Sequence, residues 1–252
     1  MTGRVFLIGA GPGDPGLLTL KAKDCLEQSD VVVYDRLVSP EILAFIPKHA
    51  DRVYVGKEAH NHTLPQAEIE DLLVEKALCG QTVSRLKGGD PFVYGRGAEE
   101  AEALAARGIP FEIVPGISSA IAAPAYAGIP LTHRTLASGF HVVTGHECLH
   151  SRGTPWEVLA LSSQTLVILM GMGHLPEITD KLISYGRAPD TPVAVVSWGT
   201  TARQEVVVGT LATIAAAVAK NEVKPPAVIV VGDVVQLHEK LHWFEPDMAL
   251  SL

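Results

Sequence analysis

The chain has 252 residues, a formal net charge of −8, 47% apolar and 19% charged residues, an ordinary composition for a soluble enzyme. That length allows one large α/β domain or two of about 120 residues, each able to bury a core. The acidic balance argues against a nucleic-acid binder, and no apolar run approaches the roughly 20 residues of a membrane span.

No basic segment followed by an apolar stretch opens the chain, so the expected location is the cytoplasm. Three cysteines, Cys25, Cys79 and Cys148, lack paired spacing and fit free thiols in a reducing compartment. VFLIG (5–9) reads as a strand, followed by a glycine-rich turn and the helical spacing of LLTLKAKDCLEQ. VVVY (31–34) is a second strand. AEIEDLLVEKAL is a helix closed by Gly80, TVSRL a strand, and AEEAEALAAR a helix with Gly108 beyond its end and FEIVP after it. This βαβ rhythm predicts a mainly parallel sheet.

PGISSA (115–120) leads into an alanine-rich helix. The second half then offers strands in FHVVTG, TLVILMG, TPVAVVSW, QEVVVGTL and PAVIVVG, with helices in HLPEITDKLISYG and LATIAAAVAKN. Two of these strands, 193–198 and 204–211, have no helix between them and should pair antiparallel within a mixed sheet. The expected organisation is two α/β domains, 1–115 and 116–252, without an internal repeat and with a shared cleft.

RLKGGDPFVYGRG (85–97) is the most informative stretch. Gly88 and Gly89 allow close backbone approach to a ligand, and Asp90 offers an acceptor ahead of Pro91. The loop should leave the carboxyl end of a strand, where open α/β sheets bind ligands. GAGPGD (9–14), with Asp35 ending the second strand, invites a dinucleotide-binding reading. Asp14 stands where the third glycine belongs, however, and Pro12 and Pro15 stiffen the turn. A loop for another ligand and a purely structural turn both remain open. HECLH (146–150) matches the zinc-protease pattern, but it falls where a strand enters a loop, not on a helix that would align both imidazoles. No metal is expected. The histidines of HNH (60–62) read as ordinary loop residues.

Taken in order, GAGPGD, VVYDRLVS, RLKGGDPFVYGRG, VPGISSA, GIPLTHR, LMGM and the W-G-T of SWGTTARQ resemble the tetrapyrrole (class III) methylase superfamily. Within it they are most similar to the uroporphyrinogen-III C-methyltransferases. The resemblance runs from about residue 4 to 245. It implies a homodimer of two-domain α/β chains that binds S-adenosyl-L-methionine in the cleft between domains and releases S-adenosyl-L-homocysteine. The implied cofactor contacts are Pro12, Gly88, Gly89, Asp90, Val93, Ser118, Ser119, Met170 and Gly199. Asp90 suits ribose hydroxyls or the amino acid ammonium, with little expected role in stability, and Met170 suits an adenine or a sulfonium. Taken alone, Met170 would read as a core residue ending a strand.

The implied substrate is a macrocycle with eight carboxylates, faced by Arg96 and Arg134, with Glu99 orienting Arg96. Asp35 and Lys57 match the family's proton acceptor and donor. The implied reaction adds two methyl groups to uroporphyrinogen III, giving precorrin-2. The resemblance is imperfect at Glu58, Glu70 and Ala98, where Arg, Asn and Gly are usual. The N-terminal module that lets some relatives oxidise and chelate the product is absent from the matched pattern, so the expectation is methylation alone. A later precorrin methylase, or a dinucleotide-binding oxidoreductase resting on GAGPGD, are the competing readings.

Overall fold

The computed structural model describes residues 2–56, 64–146 and 153–246. The chain divides into two compact units, Met1–Ser118 and Ser119–Leu252, a few residues later than the boundary drawn from sequence.

In the first unit, strands β1 (Arg4–Gly9), β2 (Val31–Tyr34), β3 (Asp51–Tyr54), β4 (Thr82–Lys87) and β5 (Phe111–Val114) form one sheet in the order β3-β2-β4-β1-β5. Every pairing is parallel. Alternation along β1 serves both faces: Val5 and Leu7 join one apolar cluster, while Phe6 and Ile8 join another. Helix α1 (Leu20–Glu27) packs Ala22, Cys25 and Leu26 into the second cluster, beside the short helix α2 (Pro40–Leu43). Helices α3 (Gln66–Leu78) and α4 (Gly97–Ala106) cover the opposite face through Ile69, Leu73, Ala101 and Leu104.

Helix α1 begins later than its apolar spacing suggests because the Thr19 hydroxyl accepts from the Ala22 N–H and caps it there. Pro15 and Leu17 belong instead to a short 3₁₀ turn, capped by Asp14.

Strand order decides where a ligand can enter. The chain leaves β1 for β2 by way of α1 on one face, and leaves the adjacent β4 for β5 by way of α4 on the other. The connections after β1 and β4 therefore lead to opposite faces of the sheet, a topological switch point where open α/β sheets bind ligands. GAGPGD and GGDPFVYGRG are those two loops.

The second unit opens with α5 (Ser119–Tyr126) and holds β6 (Phe140–Thr144), α6 (Trp156–Leu161), β7 (Thr165–Leu169), α7 (Leu175–Ser184), β8 (Pro192–Ser197), β9 (Glu205–Thr210), α8 (Ile214–Lys220), β10 (Ala227–Val231) and α9 (His238–Leu241). Its sheet runs β6-β7-β10-β8-β9. Only β6 and β7 are parallel; β8 and β9 pair antiparallel, as the missing helix between them required. Buried strand faces pack on α6, α7 and α8 on one side and on α5 on the other. The 3.6-residue pattern of TDKLISYG and its neighbours produced α7, whereas the six-residue α6 was too short to be read from spacing.

Candidate active site

The loops after β1 and β4 are tied by backbone. Ala10 N–H donates to Lys87 O at 2.7 Å, and Gly11 and Gly89 exchange N–H···O bonds at 3.1 and 2.7 Å. A third loop, the one after β5, closes on both. A Cβ on Gly116 would lie 2.3 Å from Gly89 O and 2.6 Å from Gly9 Cα, so this three-way approach admits only glycine.

Asp90 is the pin of this assembly. Its Oδ1 accepts from the Phe92 N–H at 2.8 Å and its Oδ2 from the Gly116 N–H at 3.0 Å, joining the β4 and β5 loops. Both bonds argue for a structural role beside any binding role, against the expectation that Asp90 matters little for stability. Each carboxylate oxygen keeps a further lone-pair site for a ligand.

Gly88 and Gly89 stand half-buried beside it. A Cβ on Gly88 would lie 2.7 Å from Leu37 Cβ, so the β4 loop also presses on the loop after β2. Pro12 is half-buried in the first loop, which Ser39 secures by donating its hydroxyl proton to Gly13 O at 2.9 Å. Val93 is exposed, Ser118 is buried, and Ser119 starts α5.

The β4 loop also carries Tyr94 and Arg96 with left-handed backbone, φ 53° and 58°. Non-glycine residues adopt this conformation at a cost of roughly 1–3 kcal/mol, and such strain clusters at functional sites. It leaves Arg96 exposed at the entrance to α4. There its guanidinium meets Glu99 side-on: Nε donates to Oε1 at 3.0 Å and Oε2 at 3.1 Å, and Nη2 donates to Oε2. The hydrogen bond and charge of Arg96 hold the Glu99 carboxyl below its ordinary range, and Glu99 raises Arg96 in return.

Asp35 directly follows β2, with its side chain 27% exposed. Oδ1 accepts from the Leu37 N–H at 3.1 Å and Oδ2 from Arg85 Nη2 at 3.3 Å. Behind it lies a buried charge cluster that sequence reasoning missed in part. Arg85 and Lys87 project from β4 onto Glu100 of α4, which is fully buried. Burial, and then the charge of Arg85, lower the Lys87 pKa, against the pull of Glu100. The signal available in the sequence was a glutamate inside an alanine-rich helix, indistinguishable there from a solvated one.

In the second unit, Met170 follows the fully buried β7 yet is 52% exposed, with φ 55°. It is not the core residue that its position alone would suggest. Gly199 lies between two more left-handed residues, Trp198 (φ 46°) and Thr200 (φ 71°), and a Cβ on it would lie 2.5 Å from Ala123 Cβ of α5. Arg203 stacks over the Trp198 ring at 3.4 Å, and Gln204 Oε1 accepts from the Thr200 N–H at 2.8 Å, fixing the turn. Arg134 is exposed in a turn closed by the His133–Ala137 bridge.

Lys57 and Glu58 lie outside the described residues, as do Cys148 and the Glu147–His150 portion of HECLH. Among the described residues no group of His, Cys, Asp and Glu side chains could hold a metal, and no helix is long and apolar enough to cross a membrane.

The family model for tetrapyrrole (corrin/porphyrin) methylases matches residues 4–215. A siroheme synthase from Pseudomonas fluorescens (strain Pf0-1) is 54% identical over 244 residues, which are 97% of this chain and 53% of that protein. The chain thus spans about half the length of the curated relatives it matches. Among solved structures, uroporphyrin-III C-methyltransferase from Thermus thermophilus complexed with S-adenosyl homocysteine superposes with a TM-score of 0.80 at 44% identity, covering 93% of this chain and 100% of that one. A cobalt precorrin-4 methyltransferase gives a TM-score of 0.82 at 30% identity, covering 92% and 95%.

Proposed function

The chain belongs to the tetrapyrrole (corrin/porphyrin) methylase family, and we propose that it is an S-adenosyl-L-methionine-dependent C-methyltransferase that converts uroporphyrinogen III to precorrin-2 by way of precorrin-1. The observation that carries this reading is the switch-point assembly of GAGPGD, GGDPFVYGRG and VPGISS, with Asp35 and Arg96 at its margins. The 44% likeness to a uroporphyrin-III C-methyltransferase over the whole of that chain supports the choice of substrate.

The cofactor is assigned to Pro12, Gly88, Gly89, Asp90, Val93, Ser118, Ser119, Met170 and Gly199. The residues fit it: Asp90 keeps free lone-pair sites, and Met170 presents a polarizable, half-exposed thioether. S-adenosylmethionine supplies an electrophilic methyl group on a sulfonium. The new C–C bond forms as the C–S bond breaks, and the macrocycle then loses a proton. Asp35 is the assigned acceptor, with both oxygens already oriented by donors and spare lone pairs on each. Lys57 is assigned as donor. Arg96 and Arg134 are assigned to substrate carboxylates, where a guanidinium fixes orientation as well as charge. Much of the rate then comes from holding the reacting carbon in line with the methyl.

We further propose a cytoplasmic homodimer serving siroheme, cobalamin or heme d1 synthesis. Enzymatically made uroporphyrinogen III and labelled S-adenosylmethionine should give a product carrying two labelled methyl groups by mass spectrometry. Absence of label in the tetrapyrrole, together with micromolar binding of NADH and none of S-adenosylhomocysteine, would overturn the proposal in favour of an oxidoreductase.

A further inference from the structure

Glu100 is fully buried, yet one of its oxygens takes three donors. Oε1 accepts from Lys87 Nζ at 2.8 Å, Arg85 Nε at 3.1 Å and Gln66 Nε2 at 3.4 Å. Among the described residues no protein donor reaches Oε2. Simple charge compensation would be met as well by a looser pairing through both oxygens. Converging three donors on one oxygen instead fixes the direction from which Arg85 is held.

Arg85 uses its remaining edges with equal economy. Nη1 donates to Val33 O at 3.4 Å and Leu86 O at 3.2 Å, and Nη2 donates to Asp35 Oδ2 at 3.3 Å. A planar guanidinium anchored through Nε and Nη1 on β2, β4 and α4 has the direction of its Nη2 group fixed as well. That direction is toward Asp35, the one acidic member of the cluster that reaches solvent. We propose that Glu100 is a positioning residue for methyl transfer, acting through Arg85 to fix the Asp35 carboxylate.

The inference rests on the reading of Asp35 as proton acceptor. Two carboxylates balance two cations in the cluster. Without the Glu100 charge, Arg85 and Lys87 have only Asp35 to face, and the guanidinium follows it. The carboxylate is then drawn back from the substrate, and a shift of 1 Å in such a group is worth on the order of 100-fold in rate.

A double-mutant cycle on the full chain separates this from a purely structural role. Glu100→Gln, Asp35→Asn and the double variant are compared in single-turnover methyl transfer at saturating S-adenosylmethionine, with S-adenosylhomocysteine affinity measured in parallel. Glu100→Gln alone should slow transfer about 10- to 100-fold while leaving S-adenosylhomocysteine affinity within about twofold. In the Asp35→Asn background the same change should cost no more than about twofold. Equal losses in both backgrounds, or a loss that appears as cofactor affinity, overturn the proposal.

Should Glu100→Gln fail to fold, Arg85→Lys takes its place, because an ammonium keeps the charge but lacks the fork that spans Glu100 and Asp35. The same non-additivity with Asp35→Asn is expected, and additive losses overturn the proposal. Additive losses in a chain that does methylate uroporphyrinogen III sink this inference alone. A wild-type chain that transfers no methyl group sinks the functional reading and this inference with it.

Discussion

Removing the Asp90 carboxylate should destabilise the protein as well as weaken its ligand. Asp90→Ala strands two backbone donors, Gly116 N–H in a part-buried setting and Phe92 N–H in an exposed one. A hydrogen bond to a charged group is worth about 1.5–3 kcal/mol, and an exposed turn bond about 0.5–1 kcal/mol, so the sum is roughly 2–4 kcal/mol. For a chain of this size that lowers the melting temperature by roughly 5–15 °C. Asp90→Asn keeps one acceptor oxygen, loses the charge, and should fall between the two. Thermal melts followed by circular dichroism read the effect directly, and titration with S-adenosylhomocysteine below the melting range reads the ligand contribution separately. Melting of Asp90→Ala within about 2 °C of the parent would refute the pinning argument. Unaltered S-adenosylhomocysteine affinity in the folded variant would instead remove Asp90 from the proposed cofactor site.

Gly116→Ala sets a methyl 2.3 Å from Gly89 O, a clash with backbone that cannot swing aside, and should cost about 1–3 kcal/mol or more. An unchanged melt would show that the three loops are looser than their geometry implies. Because Arg96 lowers the Glu99 pKa, the pair's contribution is fully present above the unfolded carboxyl value, near the ordinary 4.5, and is lost as pH falls through the folded one. The difference in melting temperature between parent and Glu99→Gln should therefore be flat above about pH 5.5 and shrink below about pH 4, and it should be small because both side chains are about half exposed. A difference that grew on acidification would contradict the sign.

The alternation of strand and helix patterns was legible because both sheets obey the two periods that sequence displays. The parallel first sheet was read from βαβ spacing, and the β8–β9 pairing from the absence of a helical stretch between them. Glycines were legible as a group, but not which of them interlock: Gly9, Gly89 and Gly116 meet only after three strands are in register. Glu100 was invisible for a related reason. Its partners Arg85 and Lys87 lie 15 and 13 residues earlier, on a strand that meets α4 only in the tertiary fold. Polar residues reveal their burial only through tertiary contacts, and a local pattern counts them as solvated.

Backbone strain is the other quantity a sequence hides, and Met170 carries its clearest consequence. TLVIL predicts a buried strand and a buried Met after it, since apolar side chains at strand ends usually join the core. The structure turns Met170 out at φ 55° instead, at a cost of about 1–2 kcal/mol for an L-residue. A glycine would relieve that cost and add about 0.5–1 kcal/mol of unfolded-state entropy, so Met170→Gly should leave stability within about 1 kcal/mol of the parent. Burial does not account for a strained, half-exposed methionine at this turn, whereas a contact from its thioether would. Met170→Gly should therefore melt within about 4 °C of the parent while binding S-adenosylhomocysteine at least several-fold more weakly. Wild-type affinity in that variant would mean that the turn contributes through its backbone, and the side chain would lose its place in the cofactor site.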